Sequence, residues 1–211
     1  EHAILHLLYS RFFTKGLNKF NNKIGISEPF KNLFTQGMVC HESYKDKNGN
    51  WLYPNEIIKV DSKTVVKKTD KSKVTVFPPE SMSKSKKNTI DPETMITQYG
   101  ADSVRWFILS DSPPEKDVQW TEQGIQGSYK FVQKFWTLHN KIISKIKHSN
   151  SNKEKPGEDL NKFTNILIDK ITKNLEKFNL NVAIANLYET YNYLNKIIDK
   201  EIDTEKFKEN Y

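Results

Sequence analysis

Ser81-Met82-Ser83-Lys84-Ser85-Lys86-Lys87-Asn88 decides how this chain is read. Small hydroxyl residues alternate with lysines just ahead of a helix start, so the segment offers cations, hydroxyl donors and backbone N–H groups to a triphosphate. If a carboxylate were to attack the α-phosphate of such a triphosphate, charge would move onto the transferring group and the pyrophosphate, and a mobile lysine can stabilise it there. On composition alone the run reads as a solvated loop. The flanking residues carry the rest of the argument.

Downstream, Asp91-Pro92-Glu93 supplies an N-cap, a proline at the first helical position and an acidic first turn. The predicted helix has Met95, Ile96 and Tyr99 on its apolar face and ends at Gly100. Asp102 is expected to cap a second helix, Ser103 to Leu109, which stops before Asp111-Ser112-Pro113-Pro114. The double proline sets a hinge over 111–121. From 122 onward strand signals vanish, and three stretches repeat at three-and-four spacing: Phe131, Phe135, Leu138, Ile142, Ile146; Phe163, Leu167, Ile171, Leu175, Phe178; Ala183, Leu187, Tyr191, Leu194, Ile198. These predict helices of a bundle, with an exposed loop from Ser149 to Asp159. Trp106, Trp120, Phe131, Phe135 and Trp136 read as core at that spacing before they read as platforms for RNA bases. His139 and His148 read as surface residues. Lys134, Lys141 and Lys145 are open to a nucleic-acid backbone or to solvent alone.

Upstream, residues 41–80 are polar, contain three prolines and a β-prone Val74-Thr75-Val76-Phe77, and read as an excursion of hairpins and loops. Residues 29–40 are expected to form a short helix or turn and then a buried strand from near Gly37. Ile4, Leu7, Leu8, Arg11 and Phe12 place a helix over 1–15, ended by Gly16. His2 and His6 share a face of it, a spacing open to a metal pair, although no third ligand with suitable spacing accompanies them. The chain opens on Glu1-His2 without an initiator Met or a basic leader, and is expected to be cut from a longer protein.

With 211 residues, 36% of them hydrophobic, the chain can fill one large core or two modest ones. No apolar run approaches the ~20 residues of a membrane span. Cys40, the lone cysteine, reads as a small strand or loop residue and fits a reducing cytoplasm. The net charge of +7 is concentrated: residues 59–87 hold nine lysines (59, 63, 67, 68, 71, 73, 84, 86, 87) against Asp61, Asp70 and Glu80. Attraction for a polyanion centres there.

The run Met82 to Lys86 resembles the second signature of class I aminoacyl-tRNA synthetases, Lys-Met-Ser-Lys-Ser, with Ser81 standing where the family's first lysine lies. The flanks resemble one member of that class, bacterial-type leucyl-tRNA synthetase. They comprise Glu1-His2-Ala3-Ile4-Leu5-His6-Leu7-Leu8-Tyr9-Ser10-Arg11-Phe12, Glu28-Pro29-Phe30 with Leu33, and Gln36-Gly37-Met38-Val39. Asn88 with Asp91-Pro92, Tyr99-Gly100-Ala101-Asp102-Ser103-Val104-Arg105, Ser112-Pro113-Pro114-Glu115, Trp120, Gly124 and Gly127 continue the same order. The likeness is specific to about residue 140 and rests on helical character beyond it.

The resemblance implies a fold class of α/β followed by all-α. Residues 1–110 would be the second half of a Rossmann-like catalytic domain, with 41–80 in the place of the family's insertion, and 122–211 an anticodon-binding-like helical domain. It implies ATP-dependent activation of leucine and transfer to tRNA(Leu). Lys84 would be the catalytic contact to the ATP phosphates, with Met82, Ser83, Ser85 and Lys86 shaping the loop. Glu1 would bond the ribose, His2 and His6 would line the amino-acid pocket, and Gly37, Met38 and Val39 would approach the adenine, although core packing explains Met38 and Val39 equally well. Lys86 or Lys87 would supply the charge absent at Ser81. Mg2+ would accompany ATP, with no protein-bound metal, in a cytoplasmic and monomeric enzyme. The first half of the nucleotide fold, the editing domain and a C-terminal extension have no counterpart in this stretch, so the isolated chain is expected to be inactive. Valyl- or isoleucyl-tRNA synthetase, or a noncatalytic tRNA-binding fragment, are the rival readings.

Overall fold

The computed structural model describes residues 5–21, 25–61, 64–148 and 158–198. The chain divides into two compact units, 1–35 and 36–211. The first contains helix α1, Leu5–Phe20, which runs through Gly16 rather than stopping there. A helical glycine costs about 1 kcal/mol relative to alanine, too little to end a helix whose following turns keep their bonds. Arg11 and Lys15, one turn apart on α1, both grip Glu28 at 2.8 and 3.0 Å and tie the following segment back to the helix. Of the short helix or turn expected ahead of Gly37, the helix does not form over 30–36; the chain bends at 27–29 and 31.

In the second unit β1, Val39–Lys45, is the central strand. Alongside it runs β5, Thr75–Ser81, antiparallel; β2, Trp51–Leu52, pairs antiparallel with its end, and β6, Val118–Gln119, parallel with its start. The strand thus starts at Val39 and continues into the segment expected to leave the domain. Pro78 and Pro79 are tolerated in β5 because the register slips between His41 and Ser43, where a residue without an N–H breaks no ladder. Strands β3, Ile57–Lys59, and β4, Val65–Lys67, form a separate hairpin. Tyr44, Leu52, Ile57, Val65 and Val74 give the excursion its own small core.

Helix α2, Pro92–Tyr99, starts as expected: the Asp91 carboxylate accepts from the N–H groups of Glu93 and Thr94. Met95 and Tyr99 pack inward, but Ile96 is exposed. Helix α3 spans Ala101–Ser110 with Gly100 as its N-cap, so Asp102 lies inside the first turn and bonds Arg105 at 3.0 Å instead of capping. Phe107, Val118, Trp120 and Ile125 form the core beneath these helices. Gly124 is required there, since a Cβ would sit 2.3 Å from the Phe107 ring.

Helices α4, Glu122–His148, α5, Glu158–Glu176, and α6, Leu180–Ile197, follow. Leu138, Ile142, Leu160, Leu194 and Ile198 form their shared core. Residues 149–157 of the expected loop lie outside the described residues. Three positions of the expected apolar stripes fail, Phe135, Leu175 and Phe178, and so does Trp136 of the expected aromatic core. Leu175 and Phe178 are exposed, because α5 ends at Glu176 and Phe178 turns left-handed (φ 56°) into α6. Trp136 is 63% exposed and stacks on His139 instead of entering the core. Trp106 does pack inward, donating its indole N–H to the Tyr188 hydroxyl at 2.9 Å, while Lys145 bonds the Ile198 carbonyl. Among the described residues no helix is long and apolar enough to cross a membrane.

Candidate active site

The lysine-rich loop leaves β5 at Ser81, turns over Lys84–Lys87 and ends on Asn88, whose side chain is fully buried. Asn is one of few side chains that present an acceptor and two donors at once. Its Oδ1 accepts from the Ser83 N–H at 2.8 Å, and its Nδ2 faces the carbonyls of His41, Ser81 and Glu80 at 3.3, 3.4 and 3.5 Å. One residue therefore closes both ends of the loop and fastens them to β1. Met82 packs on the core around Phe107 and Trp120, and so anchors the loop through its side chain. Within the turn the Ser83 and Ser85 hydroxyls lie 2.6 Å apart, and the Lys87 N–H reaches the Lys84 carbonyl at 3.2 Å.

On this fixed base the three ammonium groups meet different fates. Lys86 is ion-paired to Glu80, whose other oxygen accepts from the Ser43 hydroxyl. Those two donors, Lys86 first, hold the Glu80 carboxyl below its ordinary range. Lys87 lies over the ring of Tyr53, 5.2 Å from its centre, with its backbone left-handed at φ 53°. Lys84 is exposed, with no carboxylate or ring engaging it among the described residues. A strongly hydrated point charge held this way can move onto a phosphate without first breaking an ion pair.

Gly37 does make a close backbone approach, but to this chain: a Cβ there would meet the Lys116 carbonyl oxygen at 2.0 Å, and its N–H donates to Pro114 O at 2.9 Å. The need for glycine is thus met by the 113–117 segment and calls for no nucleotide. Met38 is 55% exposed, its N–H held by Asp117 Oδ1 at 2.8 Å, so core packing does not explain it; Val39 does pack inward. Glu1 and His2 lie outside the described residues. His6 is exposed on α1, its ring 6.0 Å from that of Phe30. Among the described residues no three His, Cys, Asp or Glu side chains gather in a way that could hold a metal ion. A cavity of about 700 Å³ opens between β1, the β3 hairpin, α2 and the start of α4, walled by His41, Glu42, Lys59, Tyr99 and Trp120. None of residues 81–88 lines it, so it is separate from the loop chemistry.

Three residues of the site escape a reading of the chain alone. Asn88 enters that reading only as part of a family pattern, Glu80 only as one counter-charge among lysines, and Tyr53 not at all. Glu80 carries a faint local signal, standing immediately before the loop; Tyr53 and the His41 partner of Asn88 are remote along the chain.

The family model for tRNA synthetases class I (I, L, M and V) matches residues 79–121, which bracket the loop, α2 and α3. A leucine–tRNA ligase of Acidiphilium cryptum is 47% identical over 91% of this chain and 22% of its own length. Its counterpart from Rickettsia bellii is 46% identical over 100% of this chain and 25% of its own, and that of Bartonella quintana 47% identical over 95% and 23%. The chain thus spans about a quarter of the length of the curated relatives it matches. In fold it resembles a LeuRS from Agrobacterium radiobacter, solved as a ternary LeuRS-tRNA-LeuAMS complex, with a TM-score of 0.67 and 24% identity over 98% of this chain and 22% of that one.

Proposed function

Because the chain belongs to the leucine–tRNA ligase family of class I tRNA synthetases, we propose that it supplies the phosphate-binding side of the ATP site in a leucine–tRNA ligase. The observation that carries this reading is the exposed Lys84 ammonium, unpaired among the described residues, on a loop whose ends are fastened by the buried Asn88. In the reaction, a leucine carboxylate oxygen forms a bond to the α-phosphorus of ATP. The bond from that phosphorus to the bridging oxygen breaks, and its electron pair leaves with pyrophosphate. Lys84 stabilises the charge arriving on the phosphates, which matters more in the transition state than in the bound substrate. The terminal ribose hydroxyl of tRNA(Leu) then attacks the leucyl carbonyl, and AMP departs. Mg2+ enters with ATP, as part of the substrate.

In this reading residues 1–110 belong to the second half of a Rossmann-like domain, the 111–121 hinge stays tied to it by the pairing of β6 with β1, and α4 to α6 form a bundle that meets the tRNA backbone. Phosphate contacts of that kind position the tRNA without reading its bases. Glu1, His2 and His6 are the candidates for the ribose and the amino acid, and, of Gly37, Met38 and Val39, the exposed Met38 side chain for the adenine. The enzyme would act in the cytoplasm as a monomer. In the full-length protein Lys84→Ala is expected to lower ATP–pyrophosphate exchange by roughly 100-fold or more, with leucine binding nearly intact. A near-normal exchange rate would overturn the assignment of the loop. The isolated chain should show no exchange; exchange by it would mean that the chain holds a complete ATP site.

A further inference from the structure

We propose that Lys87 is a second phosphate-contacting cation of the loop, carrying the positive charge that Ser81 does not; the inference rests on the reading of the loop given above. The three lysines differ in what they can deliver. Lys86 reaches any anion together with Glu80, and Glu80 is in turn held by Ser43, so the pair presents almost no net charge. Among the described residues the Lys87 ammonium meets a ring face and no carboxylate, a contact that orients it and leaves its charge intact. Its partner Tyr53 belongs to the 41–80 excursion, so the excursion holds this cation beside the loop.

The backbone points the same way. Lys87 sits at φ 53°, a conformation that costs a side-chain-bearing residue energy glycine would not lose, and such strain is found where the surrounding structure enforces it. Here the enforcing contacts are the Lys87 N–H on the Lys84 carbonyl and the buried Asn88 immediately after it. The ammonium therefore starts from a backbone position fixed relative to Lys84, three residues away across the turn. Ser81, at the end of β5, brings only a hydroxyl to the same loop.

The test is ATP–pyrophosphate exchange by the full-length protein carrying Lys87→Met, Lys87→Gly, Lys87→Arg, Lys86→Met, and Lys87→Met combined with Ser81→Lys. Lys87→Met and Lys87→Gly should each lower kcat by about 10- to 100-fold with the leucine KM unchanged, and Lys87→Arg should stay within about threefold of the parent. Lys86→Met should cost less than Lys87→Met, and Ser81→Lys should recover about tenfold or more of the Lys87→Met loss. Lys87→Gly relieves the strained backbone, so a loss there reports the missing charge rather than misfolding. Exchange by Lys87→Met and Lys87→Gly within threefold of the parent would overturn the proposal. So would a loss that neither arginine nor Ser81→Lys restores. Lys84→Ala, measured in parallel, separates the two readings: if it falls while Lys87→Met does not, only the role of Lys87 fails, and if Lys84→Ala is also normal, the reading of the loop itself fails.

Discussion

Replacing Asn88 with alanine removes the side chain that closes both ends of the loop, and the structure sets the size of the effect. The bond from the Ser83 N–H to Oδ1 is short at 2.8 Å, whereas the three carbonyls facing Nδ2 at 3.3 to 3.5 Å share two protons. One good neutral bond and a shared set contribute about 1 kcal/mol each, and leaving the Ser83 N–H without a partner adds about 1 more, for a local cost of about 2–3 kcal/mol. Because every 1.4 kcal/mol is tenfold, opening of the loop should become about 30- to 150-fold more frequent. Hydrogen–deuterium exchange read by mass spectrometry on a peptide covering 81–88 measures this directly, with the α4 segment around Leu138 and Ile142 as an internal control. The loop peptide should lose protection by that factor while the α4 peptide holds. Asn88→Asp should be worse than alanine, since it keeps the acceptor but turns a buried carboxylate toward three carbonyls. Loop exchange in Asn88→Ala within about threefold of the parent would show that the bonds contribute little and that the loop is held by Met82 packing instead.

Gly124→Ala should destabilise the chain by about 1–3 kcal/mol in urea unfolding, because its Cβ would land 2.3 Å from a Phe107 ring that is only 3% exposed and has nowhere to go; an unchanged midpoint would contradict the packing described. Glu28 should titrate near 2 by NMR, since bonds from Arg11 and then Lys15 hold its carboxyl below the ordinary 4.5. A lowered folded-state pKa means that the stabilisation is fully present above pH 4.5 and disappears as the pH falls through about 2, so a midpoint at 4 or above would show the two ion pairs to be absent in solution.

The readable parts of this fold are those whose cause is local. Asp91, Pro92 and Glu93 start α2 because capping, proline geometry and the helix dipole act within one turn, and the stripes of α4 to α6 are visible because burial repeats every three or four residues. Strand β1 is less legible, since its buried positions include the polar His41 and Ser43 and follow no alternation. Its pairing with the two-residue β6 leaves no local trace, and that pairing is what places Lys116 against Gly37. The same distance hides the working of the loop. The lysines announce an anion, but whether a given lysine is available depends on Glu80, Ser43 and Tyr53, and the firmness of the turn depends on an asparagine bonded 47 residues back to His41.

That dependence changes how the charge excess of residues 59–87 should be weighed. Counted along the chain, nine lysines face three acidic residues, which suggests a broad field drawing polyanions to the loop. In the structure Lys59 is paired with Glu42 at 2.7 Å, Lys67 lies 3.8 Å from Asp46, and Lys86 is held by Glu80. Exposed charges act over a Debye length of about 8 Å at physiological salt, so the excursion's remaining lysines can speed encounter yet add little to the step at the phosphates. A contact at hydrogen-bond range is screened far less. On the proposed reading of the loop, the chemistry would rest on the few cations that can reach the phosphates without surrendering a carboxylate. By that criterion Lys84 stands first, Lys87 second, and Lys86, central to the motif by position alone, serves mainly to brace the loop.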